Sequence, residues 1–375
     1  MNRLLRRLAA TLLGCAAISA AAQPADRIEL VDLAGRRVEL PAKVDRLLLG
    51  EGRFLPTLAI LERDAPLRRV VGTMGEFERV DPDGYAVWAR HHPDLDRLPR
   101  IGRTAVGSFS VEQAIALRPQ VAIFGLEGHG PAPKDRETIA RLQAAGTAIV
   151  FIDLRQDPLV NTPRSVTLLG RILGREQEAA AFTRYYESQV RLVTQRLRAR
   201  RPPSPSVFLE SRVGLVDGCC ETMVGMLGKL LDAAGGLNIA HGLIPGEHGN
   251  LNPEYLIARQ PDVYIGTAIG ANAPSHKSLR IVLGAAASRE TARASLQRAA
   301  SRRGMAQLHA VQRQQAYAVW HHFYNSPLNV VALQVMAKWL HPDLFHDLDP
   351  QATLGEMYRR FQPIPLTGEY WIGLQ

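Results

Sequence analysis

Three arginines follow predicted buried strands, at positions where a ligand could be bound between loops. They are Arg53, Arg155 and Arg212. In an open parallel sheet, ligands lie beyond the carboxyl ends of the strands, so we expect these loops to border a binding site. A guanidinium group binds carboxylates, phosphates and other oxyanions through two hydrogen bonds. The sequence therefore predicts a site for an anionic ligand, although each arginine alone is more simply explained as a solvated loop residue or a salt-bridge partner.

The densest cluster of side chains with metal-binding chemistry follows another predicted strand. It reads His321-His322-Phe323-Tyr324-Asn325. Histidine and tyrosine can both ligate iron or haem. In a strand, adjacent histidines point to opposite faces, so we expect at most one of them to face a given ligand. His321, His322 and Tyr324 are the candidate ligand residues, while Asn325 or Ser326 is expected to cap the following helix.

Sequence motifs of catalysis and of bare metal sites are missing from the chain. It contains no H-E-x-x-H, no G-x-x-x-x-G-K-[ST], no G-x-S-x-G and no C-x-x-C. The loop after the first buried strand offers Glu51 and Arg53 but no histidine, which disfavours a site for bare zinc or manganese. Together with the two-lobe layout and the export signal described below, the missing motifs predict a protein that is not an enzyme, with no resident cofactor and no metal-ligand set.

Beyond the first 22 residues, the only cysteines are the adjacent pair Cys219 and Cys220. Neighbouring cysteines cannot cross-link distant parts of a fold. In an oxidising compartment they could form a disulfide with each other, and otherwise they would remain two small, partly buried thiols. The sequence leaves both alternatives open.

One stretch of the chain occurs twice, at an offset of 142 residues. Residues 110–124 read SVEQAIALRPQVAIF, and residues 252–266 read NPEYLIARQPDVYIG. Each copy has a polar cap, a glutamate in the first helical turn, a short apolar-striped helix, a proline and a buried strand. The repeat predicts two similar lobes that carry equivalent carboxylates, Glu112 and Glu254.

The elements around these residues alternate between helices and continuous apolar strands, which predicts parallel sheets covered on both faces. Between the two halves, residues 176–200 contain no glycine or proline, and their apolar residues recur every three or four positions. Such a helix would be about 37 Å long. We expect lobes at 23–173 and 202–375 joined by a helix over 174–201, a further helix at 223–234, and an irregular tail after residue 361.

Composition and charge narrow the class of protein. The chain has 375 residues, of which 46% are hydrophobic and 22% charged, as in soluble globular proteins. The net charge is +9, but the basic residues are spread along the chain, which disfavours nucleic-acid binding. Residues 1–22 have the basic start, apolar run and A-x-A site of a signal peptide, and lipid attachment at Cys15 is the alternative.

Several motifs, taken in order, resemble those of a known family. They are the D-x-x-G-R-x-V-x-L-P opening (Asp32 to Pro41), the I-G…S-V-E-x-x-x-x-L-x-P segment (Ile101 to Pro119), L-G-x-x-L-G-x-E (Leu169 to Glu176), and A-G-G-x-N (Ala234 to Asn238). Nearly the whole chain after residue 22 is similar to periplasmic substrate-binding proteins of the iron–siderophore, haem and cobalamin ABC importers. The resemblance implies an α/β protein with two Rossmann-like lobes joined by a single long helix.

The same resemblance implies a function and a partner. A protein of this family is a periplasmic monomer that carries a small-molecule metal complex to an ABC permease dimer, docking through one glutamate on each lobe, here Glu112 and Glu254. The expected ligand is chelated iron, as a ferric siderophore or haem. The alternatives are an oxyanion such as molybdate, another metal complex or, more remotely, an enzyme or a ligand sensor on the same fold.

Overall fold

Two separate sheets form the centres of two lobes. A computed structural model describes residues 27–215, 219–270 and 278–375. One sheet has four strands and the other has seven, and a two-stranded hairpin accompanies the first. The predicted leader (1–22) and Cys15 lie outside the described residues. The prediction of an α/β protein with two lobes is confirmed.

The N-terminal lobe is built on a four-stranded sheet with the order β4-β3-β5-β6, in which all neighbouring strands are parallel. Its strands are β1 (Arg27–Val31), β2 (Arg37–Pro41), β3 (Leu47–Leu49), β4 (Val70–Thr73), β5 (Val121–Gly125) and β6 (Ala148–Ile152). Its helices are α1 (Leu55–Leu61), α2 (Glu76–Val80), α3 (Pro82–His91), α4 (Val111–Ala116), α5 (Arg136–Ala144) and α6 (Pro158–Leu173). The strands are buried and apolar, as required for a parallel sheet with both faces covered.

A single helix, α7 (Glu176–Arg200), joins the lobes and contacts both of them. It begins after Gly174, whose left-handed φ of 65° ends α6. The Tyr186 hydroxyl reaches the carbonyl of Pro158 at 3.2 Å and the side chain of Asn329 in the C-terminal lobe at 2.6 Å. Phe182 packs edge-on against Phe361 of that lobe, with ring centroids 5.2 Å apart. The connecting helix is therefore part of a core shared by both lobes.

The C-terminal lobe has a mixed sheet with the order β10-β8-β7-β11-β12-β13, and β9 pairs with β7. Its strands are β7 (Ser206–Glu210), β8 (Glu221–Met223), β9 (Leu237–Asn238), β10 (His248–Asn250), β11 (Val263–Ala268), β12 (Ala316–Trp320) and β13 (Trp371–Gly373). Its helices are α8 (Leu227–Ala233), α9 (Pro253–Arg259), α10 (Arg289–Ala300), α11 (His309–Gln312), α12 (Asn329–Leu340) and α13 (Pro350–Phe361). The central strands β7, β11 and β12 are parallel, whereas β8, β10 and β13 are antiparallel to their neighbours.

Local predictions were wrong at two places in this lobe. The helix predicted from residue 223 begins only at Leu227, because Met223 pairs with His248 in the sheet and Met226 has a left-handed φ of 51°. The tail predicted to be irregular contains β13, which pairs with β12. Both strands are short, and their pairing partners lie far away in the sequence, so local periodicity does not reveal them.

Candidate functional site

The loops that follow strands of the two sheets meet around one buried carboxylate, that of Glu51. It follows β3 and is 1% exposed. Within the N-terminal lobe, the Arg155 guanidinium donates to both of its oxygens at 3.0 and 2.9 Å, and the His129 N–H donates at 3.1 Å. From the other lobe, the Asn325 side-chain amide donates at 2.8 Å. Burial alone would raise the pKa of Glu51, but Arg155 and Arg53 outweigh it and lower that pKa. Glu51 is thus an ionised anion held by both lobes.

Arg53 makes a second contact between the lobes. Its guanidinium reaches Nδ1 of His322 at 3.1 Å and the Tyr324 hydroxyl at 3.3 Å. Arg53 can only donate, so Nδ1 of His322 accepts, and the proton on Nε2 is donated to the carbonyl of Val80 at 2.8 Å. Burial and the nearby Arg53 lower the pKa of His322 well below its usual value, which keeps the ring neutral.

His321 and Tyr324 lie together beside the arginines. Their ring centroids are 5.0 Å apart, and the Arg155 guanidinium lies 5.0 Å from the centroid of the Tyr324 ring. Burial would raise the pKa of Tyr324, but Arg155 and Arg53 outweigh it and lower that pKa. Burial and the three arginines, Arg212 first among them, lower the pKa of His321 to about 3. The pair therefore combines a neutral imidazole with a phenol that ionises more easily than usual.

The histidine cluster differs from its predicted geometry. His321–Asn325 is a 3₁₀ turn, so strand alternation does not apply, and both histidines are buried between the lobes. Asn325 does not cap the next helix, because its side chain is bonded to Glu51. Helix α12 begins at Asn329, and its N-cap residue, Leu328, makes no side-chain cap. The prediction of Asn325 as the cap was wrong, whereas Ser326, its predicted alternative, accepts the N–H of Leu328 at 3.2 Å just before the helix. The ligand-binding roles of His321, His322 and Tyr324 stay predictions, and the segment does lie at the lobe interface.

A second buried carboxylate, that of Glu76, lies 3.8 Å from Nε of Arg53. Glu76 accepts hydrogen bonds from the N–H groups of Gly52 and Arg53 at 2.9 and 3.0 Å. Burial first, and then the charge of Glu51, raises the pKa of Glu76 to about 7. Sequence reasoning placed Glu51 in a candidate loop but missed its central role, and it did not assign Glu76 to the cluster.

Arg212 lies on the far side of His321 from Glu51. Its N–H donates at 2.8 Å to the Thr267 hydroxyl, which is bonded to His321, and its side chain lines a groove of about 310 Å³ on the C-terminal lobe. Its guanidinium is bonded to Glu221, and its side chain is 37% exposed. On the N-terminal lobe, Arg155 lines a larger groove of about 710 Å³. Burial and the nearby charge of Glu127, which lines this groove, raise the pKa of Glu247 in the C-terminal lobe.

The six predicted ligand residues therefore fall into two groups. The central group is almost buried at the lobe interface, and Arg212 lines the open groove beside it. Members of the central group are Arg53, Arg155, His321, His322 and Tyr324. In the described part of the chain, no three or more His, Cys, Asp or Glu side chains are placed to hold a bare metal ion.

Glu112 lies beside the carboxyl edge of the N-terminal sheet. It is in the first turn of α4, and its side chain is 71% exposed and bonded to Arg141 at 2.6 Å. The cap residue Ser110 donates its N–H to Ile101, which donates to Thr73 at the end of β4. The start of α4 therefore borders the edge at which the lobes meet.

Glu254 has the equivalent position in the other lobe. It is exposed in the first turn of α9, whose cap residue Asn252 accepts a hydrogen bond from the Glu254 N–H at 2.7 Å. Leu251, just before the cap, donates to Cys220, which lies beside the carboxyl end of β7. The predicted polar caps of both repeat copies are confirmed.

Comparison with known proteins agrees with this architecture. The model of a family described as periplasmic binding protein matches residues 79–319, which is more than half of the chain. The chain belongs to that family. No curated protein sequence matches it significantly. None of the helices in the described ranges has the length and hydrophobicity needed to cross a bilayer.

Solved structures of periplasmic binding proteins share the fold. The TroA-like protein FepB from Veillonella parvula is 25% identical, with a TM-score of 0.81 over 93% of this chain and 100% of that one. Molybdate-bound MolA from Haemophilus influenzae is 15% identical, with a TM-score of 0.67 over 91% and 100% of the two chains. The haem-binding protein RhuT from Roseiflexus is 20% identical, with a TM-score of 0.55 over 80% and 99%. The chain is thus a periplasmic binding protein of the ABC-transporter type.

Proposed function

We propose that this periplasmic binding protein captures an iron chelate, a ferric siderophore or haem, between its lobes and delivers it to an ABC permease. The observation that carries the proposal is the pairing of His321 with Tyr324 beside Arg53 and Arg155. Imidazole and phenolate are ligands of ferric iron, and tyrosine also serves as an axial haem ligand. With its ring proton on Nδ1, His321 would donate a hydrogen bond to the Thr267 hydroxyl, 2.9 Å away, and Nε2 would be left for a metal.

The arginines suit the organic part of such a ligand. Siderophores and haem present carboxylate, catecholate or hydroxamate oxygens, which guanidinium groups bind well. The buried Nε atoms of Arg53 and Arg155 have no hydrogen-bond partner among the described residues. Each guanidinium therefore retains one donor for a ligand, and Arg212 at the groove edge supplies another.

An oxyanion such as molybdate is the weaker candidate. An oxyanion site needs several free donors, but the charge of Arg53 and Arg155 is already partly balanced by Glu51. A molybdate ion would also make no use of the easily ionised phenol of Tyr324. Proteins of similar fold include a haem-binding protein and one bound to molybdate, so the fold does not decide the ligand and the side chains of the site must.

Entry of a ligand requires the lobes to separate. His321 and Tyr324 are each 6% exposed, and their neighbours Glu51 and Asn325 bond across the interface. Opening would break that contact and the one between Arg53 and His322. The remaining core around α7 is shared by both lobes, so we expect a small opening at the groove.

A thermal-shift series tests the proposed ligand. The probes are haemin, ferrioxamine B, ferric 2,3-dihydroxybenzoate, cobalamin, molybdate and Zn²⁺. A ligand that binds only the folded state stabilises it by about 2.7 kcal/mol at a hundred times its Kd. We expect an iron chelate to raise the melting temperature and to change its visible absorption spectrum on binding, because the Tyr324 phenolate becomes an iron ligand.

Two variants make this test specific. Tyr324→Phe should abolish this spectral change and weaken binding of the iron chelate, whereas the matched Tyr255→Phe, on α9 of the same lobe, should leave both unchanged. Stabilisation by molybdate or Zn²⁺ alone would refute the iron-chelate proposal and favour the alternative ligand. An iron chelate that binds equally to Tyr324→Phe would refute the assignment of Tyr324.

A further inference from the structure

The adjacent cysteines form a disulfide in the wall of the groove that holds Arg212. The structure joins Cys219 to Cys220, and both line the groove with Arg212, Glu221 and His248. Cys220 is fully buried, whereas Cys219 is partly exposed. One half of the disulfide is therefore anchored in the core of the C-terminal lobe, and the other half is reachable from the groove.

The residue directly after the disulfide fixes the position of Arg212. Glu221 binds the Arg212 guanidinium through its carboxylate, and its carbonyl accepts the N–H of Ser211 at 2.7 Å. The carbonyl of Cys220 itself accepts the N–H of Leu251 at 3.0 Å. A movement of the Cys219–Cys220 backbone would thus displace Glu221, and with it the Arg212 guanidinium that Glu221 binds.

The backbone at Cys220 depends on its surroundings. Its φ is 120°, a region that residues with a side chain rarely adopt and that persists only where the structure enforces it. A disulfide between neighbouring cysteines closes a small ring that includes this backbone. Breaking the ring would remove one constraint, and Cys220 would relax towards negative φ and carry Glu221 with it.

We infer that the Cys219–Cys220 disulfide is a redox-sensitive element that sets the position of Arg212 in the groove. A dithiol reductant, such as a thioredoxin-like domain, would supply two electrons and two protons. Its own thiols would become a disulfide while the Cys219–Cys220 bond breaks into two thiols. An effect on ligand affinity would rest on the proposed function, but the structural change would not.

Hydrogen exchange before and after reduction tests the inference without any ligand. Protein isolated from an oxidising compartment should yield a 213–229 peptide whose mass is lower, by the two thiol hydrogens, than that of the same peptide after reduction. After treatment with dithiothreitol, exchange of the Ser211 and Leu251 amides should rise by at least about tenfold, because their acceptors move. The Ala122 amide in β5 of the other lobe should be unaffected.

The variant Cys219→Ser/Cys220→Ser supplies the matched control. It should exchange fast at Ser211 and Leu251 with or without reductant. If it does not fold, the comparison of oxidised with reduced wild-type protein carries the test alone. Free thiols in the oxidised protein would overturn the inference, as would unchanged exchange after complete reduction. Neither result would bear on whether an iron chelate binds.

Discussion

At the scale of single residues, the interface is organised around buried charges that are paired in place. Glu51 pairs with two arginines of its own lobe and accepts a hydrogen bond from Asn325 of the other. Hydrogen-bond donors offset the free-energy cost of removing a carboxylate from water. Loss of one donor leaves part of that cost uncompensated and destabilises the folded protein. Asn325 is the simplest place to test this, because it is the uncharged partner.

Asn325→Ala should lower the free energy of unfolding by about 1.5–3 kcal/mol, the usual contribution of a hydrogen bond to a buried charged group. Urea denaturation at neutral pH measures the change. The exposed Asn250→Ala is the matched control and should stay within about 0.5 kcal/mol of wild type. Equal stability of Asn325→Ala and wild type would show that Asn325 does not bridge the lobes.

The neutral His321 makes a prediction about acid stability. Its pKa is lowered from 6.5 to about 3 in the folded protein. Below pH 6.5 the unfolded chain binds a proton that the folded chain does not, so this residue makes stability fall as the pH drops towards 3. A carboxyl group whose pKa is raised in the folded protein, such as Glu76, has the opposite effect. Its contribution to the stability of the folded protein is complete at low pH and is lost as the pH rises through about 7.

Comparing His321→Asn with wild type isolates that contribution, because the carboxyl groups are common to both. The asparagine side-chain amide can keep a hydrogen bond to the Thr267 hydroxyl, which is bonded to Nδ1 in the wild-type protein. We expect the stability difference between wild type and variant to shrink or reverse between pH 7 and pH 4.5, as measured by denaturation at each pH. Parallel stability curves would mean that His321 titrates normally.

At the scale of elements, the sequence predicted the long helix well and the conformation of the segment between β12 and α12 poorly. Helix α7 occupies Glu176–Arg200, the same residues that its apolar period marked out. Periodicity succeeds because that signal is local. Asn325 or Ser326 was predicted to be a helix cap because both residue types suit one, but Asn325 is bonded instead to Glu51, 274 positions away. Contacts between lobes have no local signature.

Two helical glycines test how closely the elements pack. A Cβ added to Gly170 of α6 would lie 2.6 Å from the Cβ of Ala179 on α7, whereas one added to Gly355 of α13 would meet nothing within 4 Å. Gly170→Ala should therefore destabilise the protein by about 1–3 kcal/mol. Gly355→Ala should stabilise it by about 0.4–1 kcal/mol, through reduced entropy of the unfolded chain.

Thermal denaturation of both glycine variants provides the comparison, with each protein serving as the control for the other. We expect the melting temperature to fall in Gly170→Ala and to rise in Gly355→Ala. A stabilised Gly170→Ala would contradict the close contact between α6 and α7, and with it the firm attachment of the connecting helix to the N-terminal lobe.

At the scale of the whole molecule, the two repeat copies place exposed glutamates beside the edges where the lobes meet. We propose that Glu112 and Glu254 dock the protein onto cationic side chains of the permease. Glu112→Arg/Glu254→Arg should abolish uptake and leave ligand affinity unchanged. The matched control is Glu137→Arg/Glu290→Arg, which alters exposed first-turn glutamates of α5 and α10.

Uptake by cells that carry each variant, together with ligand titration of the purified proteins, separates docking from binding. The control variant should transport normally. Normal uptake by Glu112→Arg/Glu254→Arg would remove the docking role, and a parallel loss of ligand affinity would place the two glutamates in the binding site instead.

The most direct test of the central claim is a crystal structure of the protein with the iron chelate that gives the largest thermal shift. We predict an anomalous iron signal between the lobes, with the Tyr324 hydroxyl oxygen among the iron ligands and Arg155 or Arg212 against the chelate. An iron signal outside the lobe interface, or a chelate that touches none of these side chains, would contradict the proposed mode of capture.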